Sequence, residues 1–215
     1  LPYYAQFKNH PSKNIISGLS KYLNLGFISS QRVAIDVIKS MASAENKEAF
    51  LEELIVRKEL ADNFCLYNKR FKSFKGIPSW AKNSLECHKE DFRPYIYTME
   101  ELESATTHDN LWNATQNQLK REGIIHGYLR MYWAKKILEW TISADVALKI
   151  AIYLNDKYAY DAPSANGYVG ILWAIGGLHD RAFTDYPVTG KIRRMTYQSI
   201  KRKYDLDNYL KNVSE

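Results

Sequence analysis

The sequence predicts an all-α domain, and three observations lead to that class. Apolar residues recur at helical spacing along most of the 215 residues. Strand-like alternation bounded by hairpin turns is missing, and no apolar run reaches the length of about 18 residues that a membrane span needs. The composition, 46% hydrophobic and 25% charged, is that of a folded globular chain. We expect about eight to twelve helices in one domain over residues 1–215.

Five stretches carry the helical pattern most clearly. In the first, Val33 and Val37 share an apolar stripe with Ile38 and Met41, and the others cover residues 50–60, 110–121, 127–140 and 144–158. The stretch over residues 110–121 stops at Gly123, and glycine commonly ends helices. Segments 67–80, 161–170 and 182–190 contain Gly, Pro or other turn-forming residues, and we expect loops there; in particular, 161–170 should not be a helix interior.

Composition and motifs exclude several classes of protein. Only two cysteines occur, which excludes a disulfide framework and a cysteine-rich zinc site. No nucleotide-binding glycine motif, zinc-protease motif or serine-hydrolase motif is present, and the five histidines are not at metal-ligand spacing, so we expect no metal. The net charge of +6 permits a polyanionic partner. The chain begins without Met or a signal peptide, which we interpret as a piece of a longer, intracellular protein.

Tryptophan is concentrated in the middle of the chain. Trp133 and Trp140 are two helical turns apart on one predicted helix, and Trp112 lies on the preceding one, which a short turn at Gly123 joins to it. The three rings are either part of an ordinary core or a chain of oxidisable groups along which an electron can hop. Their spacing does not distinguish the two.

Polar residues interrupt the apolar helices at a second place. Arg130, Asn155, Asp156 and Asp161 lie in or just after strongly apolar stretches, and a buried arginine needs a carboxylate partner. They form either a structural salt bridge or a polar floor beneath a ligand.

A short segment near the N-terminus leads into a predicted helix and consists of Ser17, Gly18, Leu19 and Ser20. It suits either phosphate binding or a plain N-cap at Ser20.

Positive charge is concentrated near the C-terminus. Six Lys or Arg residues and no Asp or Glu occur between Lys191 and Lys203, with Tyr197 among them. A one-sided run of this kind next to an aromatic ring favours a surface that faces phosphates.

Several long strings resemble the C-terminal, flavin-binding helical half of class II cyclobutane pyrimidine dimer photolyases. One reads Thr-His-Asp-Asn-Leu-Trp-Asn-Ala from Thr107, and another runs from His126 through Trp133 to Trp140. The others cover 53–65, 153–158, 166–170, 173–177 and 190–193. The resemblance extends over nearly the whole chain. The N-terminal α/β half, which carries an antenna cofactor in many members, lies outside this sequence.

The resemblance implies an FAD-binding, light-driven DNA-repair lyase with the fold of the cryptochrome/photolyase FAD-binding domain. By similarity, Tyr4 and residues Ser17, Gly18, Leu19 and Ser20 hold the diphosphate. Arg130 and Asp161 form the ion pair against the flavin ring, with Asp156 beside it, and Asn155 faces flavin N5. Trp133, Trp112 and Trp140 form the photoreduction chain, with Trp133 nearest the flavin and Tyr97 near its outer end.

The same resemblance implies how damaged DNA is bound. Glu53 is similar to the carboxylate that hydrogen-bonds the dimer, and Met131 and Trp173 to the apolar walls of its pocket. Arg57, Arg181 and Arg193 are placed on the DNA side, where the basic stretch holds phosphates around a flipped-out dinucleotide. The expected partner is DNA that contains pyrimidine dimers, bound by a monomer without membrane association.

The chain departs from the family pattern at several positions. Residues 161–167 read Asp-Ala-Pro-Ser-Ala-Asn-Gly where the family usually reads Asp-Gly-Arg-Asp-Pro-Asn-Gly, and Phe183 replaces a usual Trp. Two other functions therefore stay open. One is a non-repair, cryptochrome-like flavin photoreceptor or redox module, which has no need of Glu53, Met131 or Trp173. The other is a cofactor-free helical module that binds nucleic acid through its basic stretch.

Overall fold

Helices joined by loops form the chain, in a computed structural model that describes residues 1–13 and 15–214. Within these residues no strand occurs, and the only β-type pairing is a single antiparallel bridge between Tyr186 and Gly190. The thirteen α-helices of this part are α1 (Tyr4–Phe7), α2 (Ser20–Asn24), α3 (Ser30–Lys39), α4 (Ala44–Leu51), α5 (Lys58–Tyr67), α6 (Ser79–Cys87), α7 (Met99–Glu103), α8 (Asn110–Glu122), α9 (Gly127–Glu139), α10 (Ala144–Tyr158), α11 (Ala165–Gly176), α12 (Tyr197–Lys203) and α13 (Leu206–Ser214).

Two short non-α helices complete the path. A π-helix (Glu52–Arg57) joins α4 to α5 without a break, and a 3-10 helix (Phe74–Gly76) follows α5. The all-α expectation is confirmed, although the described residues contain one α-helix more than the upper bound of twelve helices. Helices α1, α2 and α7 have only four or five residues each, which is too short for an amphipathic period to be visible in the sequence.

Polar caps decide where the long central helices begin. The Asp109 carboxylate accepts a hydrogen bond from the backbone N–H of Trp112 at the start of α8, over 2.9 Å, and the Ser143 hydroxyl does the same for α10. At the other end of α8, Gly123 adopts φ +66°, which glycine tolerates at no steric cost. The chain therefore reverses there, and α8 and α9 pack against each other.

The main core lies between α8, α9, α10 and α11. Helix α11 packs against α5, α9 and α10, and α9 packs against α8, α10 and α11. The largest completely buried side chains of this cluster include Trp112, Tyr132 and Trp133. A second, smaller core forms around Phe50 with Val33, and Tyr4 packs against it. The N-terminal helices therefore have an apolar centre of their own.

Two expectations of local structure are wrong. Ile38 and Met41 are exposed, at 57% and 100%, because α3 ends at Lys39 and only Val33 and Val37 of the predicted stripe face inward.

The second wrong expectation concerns residues 161–170, for which the sequence predicts a loop. Residues 165–170 are helical. The Ser164 hydroxyl caps α11 by accepting from the N–H of Gly167 over 3.1 Å, and packing against α10 outweighs the low helix propensity of glycine. The loop expected at 182–190 is confirmed.

Candidate functional site

The three predicted tryptophans form one buried array. The ring centroids of Trp133 and Trp112 are 6.4 Å apart with planes 4° from parallel, and those of Trp112 and Trp140 are 5.8 Å apart at 69°. Each of the three side chains is at most 5% exposed. Helix α8 supplies Trp112, α9 supplies Trp133, and Trp140 is the C-cap residue directly after α9. The tryptophan array (Trp133, Trp112 and Trp140) thus has Trp112 in the middle, in contact with both other rings.

Hydrogen bonds hold two of these indoles in place. The Trp112 indole N–H donates to the backbone carbonyl of Trp133 over 3.0 Å, and the Trp133 indole N–H donates to Oε1 of Gln116 over 2.8 Å. Gln116 is completely buried. The sequence analysis did not select this residue, although its position one helical turn after Trp112 was the available signal.

Aromatic rings continue from Trp140 to the surface. Tyr97 and His108 contact Trp140 edge-on, with centroids at 5.7 and 5.0 Å, and Tyr95 stacks on His108 at 3.7 Å. Tyr95 is 47% exposed. The structure places Tyr97 beside the outermost tryptophan, so oxidisable rings in contact run from the core to solvent.

The polar cluster lies where α9, α10 and α11 come together. Both terminal nitrogens of Arg130 lie 3.3 Å from Oδ1 of Asp161, with side chains 20% and 17% exposed. Asn155 is 2% exposed, and its amide donates to Oδ1 of Asp156 over 3.2 Å. A Cβ on Gly167 would lie 3.1 Å from the Asn155 amide nitrogen. A residue larger than glycine would therefore crowd this amide.

Asp156 has a hydrogen-bond partner, Tyr168, that the sequence analysis did not identify, and Lys72 contacts the same tyrosine. Its Oδ2 accepts from the Tyr168 hydroxyl over 2.9 Å, and the Lys72 ammonium lies 4.4 Å from the centre of the Tyr168 ring. The Tyr168 hydroxyl stabilises the charged ammonium and raises the pKa of Lys72. Lys72 precedes α6 and is distant in sequence, so no periodic pattern indicated the contact.

Three of the five N-terminal residues predicted to bind phosphate line a cleft of about 560 Å³. Tyr4, Ser17 and Leu19 line it, and the Tyr4 ring packs edge-on against Phe50 at 5.1 Å. Burial raises the pKa of Tyr4 to about 12, with a smaller contribution from the Glu53 carboxylate. The phenol therefore stays protonated and can donate a hydrogen bond at neutral pH.

Gly18 and Ser20 adjoin this cleft along the chain. Gly18 adopts φ +65° with open space around it, so the backbone conformation, and not crowding, is what requires glycine here. The alternative of Ser20 as an N-cap is wrong, because Ser20 is the first residue of α2 and Leu19 precedes the helix. Helix α2 connects the cleft with the loop that begins at Asp161, since Asn24 donates to the backbone carbonyl of Pro163 over 3.3 Å.

Two of the predicted DNA-side residues lie on the π-helix. The Glu53 carboxylate accepts a hydrogen bond from the Lys8 ammonium over 2.8 Å, in an ion pair, and is about half exposed. The Arg57 guanidinium lies 5.8 Å from the centre of the Trp173 ring on α11. The structure thus brings Arg57 and Trp173 together. Met131, on α9, is partly buried against the main core.

Arg181 and Arg193 lie on the segment between α11 and α12, which we call the basic loop (residues 177–196). Their guanidinium carbons are 6.0 and 5.9 Å from the centre of the Phe183 ring. The loop folds back on itself, with the N–H of Phe183 donating to the carbonyl of Lys191 over 3.0 Å. Two exposed arginines therefore share one aromatic platform.

The chain is similar in sequence to proteins named deoxyribodipyrimidine photo-lyase. It is 46% identical to that of Potorous tridactylus over 215 residues, which is all of this chain and 40% of the relative. It is 51% identical to that of Oryza sativa over 212 residues, or 98% of this chain and 42% of the relative, and 43% identical to that of Methanothermobacter thermautotrophicus over 210 residues, or 98% and 46%. The chain spans less than half the length of these relatives. No model of a known protein family matches it.

The fold is also found in a solved structure. A bacterial class III photolyase from Agrobacterium tumefaciens superposes with a TM-score of 0.74 over 99% of this chain and 41% of the other, at 19% identity. The expected helical fold of photolyases is therefore confirmed. In the described residues, no helix is long and apolar enough to cross a membrane.

Proposed function

We propose that residues 1–215 are the FAD-binding helical domain of a class II photolyase, a lyase that uses light to split cyclobutane pyrimidine dimers in DNA. The observation that carries the proposal is the tryptophan array, which continues through Tyr97 to the exposed ring of Tyr95. A core gains stability from buried indoles in any arrangement, whereas electron transfer needs a continuous path. The relatives of 43–51% identity support the same activity. We propose that it acts inside the cell as a monomer.

The polar groups of this chain fit FAD. Around the cleft, the Tyr4 and Ser17 hydroxyls and the backbone at Gly18 offer donors that suit a diphosphate. Arg130 with Asp161 and Asn155 with Asp156 offer both donors and acceptors, as the edge of an isoalloxazine ring requires. In its reduced form, bound FAD would supply the electron that opens the dimer and accept it back.

The protein's own residues orient and isolate that chemistry. The Arg130–Asp161 pair is largely shielded from water, so it holds its ligand in a fixed direction. Asn155 is almost completely buried, and its neutral amide can donate a hydrogen bond to a ring nitrogen or accept one from a ring N–H. The tryptophan array carries electrons inward from the surface, with Trp112 as the intermediate step between Trp140 and Trp133.

The DNA side is built from an aromatic wall and exposed cations. Trp173 and Met131 supply apolar surface for a flipped-out dimer, and Glu53 supplies a carboxylate that is free to exchange Lys8 for a base edge. Arg57, Arg181 and Arg193 neutralise phosphates around it. Arg181 and Arg193 both lie against the Phe183 ring.

An absorption spectrum of the purified protein, followed by a dimer-repair assay under blue light, tests the proposal. A flavin spectrum and light-dependent loss of dimers are expected. A bound flavin without repair would favour the cryptochrome-like alternative. A colourless protein that takes up no added FAD, yet binds DNA in a salt-sensitive way, would favour the cofactor-free alternative.

A further inference from the structure

His88 bridges two carboxylates that come from different parts of the chain. Its Nδ1 lies 2.6 Å from Oδ2 of Asp91, and its Nε2 lies 2.9 Å from Oδ1 of Asp185 in the basic loop. A neutral imidazole has one N–H, so it can donate to only one of the two. Only the imidazolium, which has two N–H groups, satisfies both contacts.

The charged groups around His88 also favour its protonated form. The hydrogen bond to Asp91 contributes most to a raised pKa of His88, and Asp185 contributes further. The backbone N–H of Val188 contributes most to a lowered pKa of Asp91, and His88 and then the Arg93 guanidinium lower it further. Positive charge on His88 is therefore matched by two nearby carboxylates.

Asp91 also holds the basic loop directly. Its Oδ2 accepts from the backbone N–H of Val188 over 2.8 Å. Val188 adopts φ +69°, a left-handed conformation that is costly for a β-branched residue and persists only where surrounding contacts impose it.

Helix α6 provides a third attachment. The Ser84 hydroxyl accepts from the N–H of Lys191 over 2.8 Å. A Cβ on Gly190 would lie 2.2 Å from that hydroxyl oxygen, so the loop backbone is pressed against α6. The basic loop is thus seated by Ser84, Asp91 and His88, and of these only His88 changes charge near neutral pH.

We propose that protonated His88 fastens the basic loop to α6 and so positions Arg181 and Arg193 for DNA, making DNA binding weaken as His88 loses its proton. This rests on the proposed function, because it assumes that the loop contacts DNA. On deprotonation the proton stays on Nδ1, in the shorter contact with Asp91. The lone pair of Nε2 then faces the Asp185 carboxylate, which loses its donor.

Two measurements on the whole chain test the proposal. The first is amide hydrogen exchange of the free protein across the pH range from about 6 to about 9, above and below the ordinary histidine value, with rates corrected for intrinsic base catalysis. The second is binding of fluorescein-labelled duplex DNA with a thymine dimer at the same pH values and constant salt. The variants are His88→Gln, which is neutral at every pH, and Asp185→Asn. Asp207→Asn removes an equal, exposed charge away from the loop and is the control.

In the wild type and in Asp207→Asn, protection of the amides of residues 183–192 and DNA affinity should both fall as pH rises. The fall in affinity should be about two- to fivefold, the range that partly exposed ion pairs support. His88→Gln and Asp185→Asn should show neither change with pH. Protection in the wild type that stays constant, or that falls equally in His88→Gln, would overturn the proposal. If protection follows His88 but no DNA binds at any pH, the fastening is supported and the proposed function is wrong.

Discussion

The Trp133 indole donates a hydrogen bond to the Gln116 side chain over 2.8 Å, and both groups are buried. Gln116 lies one turn after Trp112 on α8, so the same helix supplies a stacking partner and a hydrogen-bond acceptor to one indole. The orientation of Trp133 relative to Trp112 is therefore determined by two contacts, and not by packing alone.

Replacing Gln116 with Leu should lower the free energy of unfolding by about 1–3 kcal/mol, because the Trp133 N–H is then buried without an acceptor. Chemical denaturation followed by tryptophan fluorescence measures the change. Asn117→Leu, at an exposed position of the same helix, is the control and should change stability by less than about 0.5 kcal/mol. Equal effects of the two variants would contradict the assigned hydrogen bond.

Trp133→Phe should slow or abolish photoreduction of oxidised flavin while leaving repair by chemically reduced protein largely intact. Phenylalanine keeps the apolar contact but is much harder to oxidise than tryptophan. Flash photolysis of the flavin-loaded protein provides the rate. Trp80→Phe removes a tryptophan outside the array and should leave photoreduction unchanged. Normal photoreduction in Trp133→Phe would mean that electrons take another path.

Arg130→Met should weaken FAD binding about tenfold or more, because loss of a charge-assisted pair at a largely buried site costs about 1.5–3 kcal/mol. Fluorescence titration of the apoprotein with FAD measures the affinity. Lys149→Met removes a cation from the exposed ion pair with Asp145 and should leave the affinity as it was. An unchanged affinity in Arg130→Met would show that the Arg130–Asp161 pair is purely structural.

Glu53→Ala should lower the yield of dimer repair while the FAD content stays normal. Glu53 is half exposed and pairs only at the surface with Lys8, so its removal should not disturb the fold. The repair yield per absorbed photon is the measurement, and Glu59→Ala on α5 is the control. Loss of FAD in Glu53→Ala would place Glu53 in the cofactor site instead.

His126 should make the protein less stable at mildly acidic pH. It begins α9 by accepting from the N–H of Tyr128 over 3.2 Å, and burial lowers its pKa to about 4. The unfolded chain, with a histidine pKa of about 6.5, then binds more protons than the folded one between these values. The neutral, buried His126 therefore contributes up to about 3 kcal/mol to the free energy of unfolding. This contribution is complete above about pH 6.5 and is lost as pH falls towards about 4.

His126→Asn isolates this effect, since asparagine can cap α9 but cannot be protonated. The measurement is the free energy of unfolding of the wild type and of this variant from about pH 7 to about pH 4. As pH falls, the variant should become more stable relative to the wild type. A difference that does not depend on pH would contradict the buried, neutral state of His126.

Local patterns in the sequence were sufficient for much of this molecule. The all-α class and the helices that carry the tryptophans follow from apolar periodicity, which is a property of neighbouring residues. Electrostatics required a carboxylate partner for a buried Arg130, and the resemblance named Asp161 as that partner. The roles in cofactor and lesion binding came from resemblance, and they stay predictions.

The tertiary structure decided what depends on residues far apart in the chain. Helix α11 forms through Gly167 because α10 packs against it, against the local preference of residues 161–170. Lys72 meets Tyr168, Lys8 meets Glu53, and His88 meets Asp185 across separations that no helical period spans. Hydrophobic periodicity determines which face of a helix is buried, but only the packing of helices against one another determines which polar groups then come within hydrogen-bonding distance.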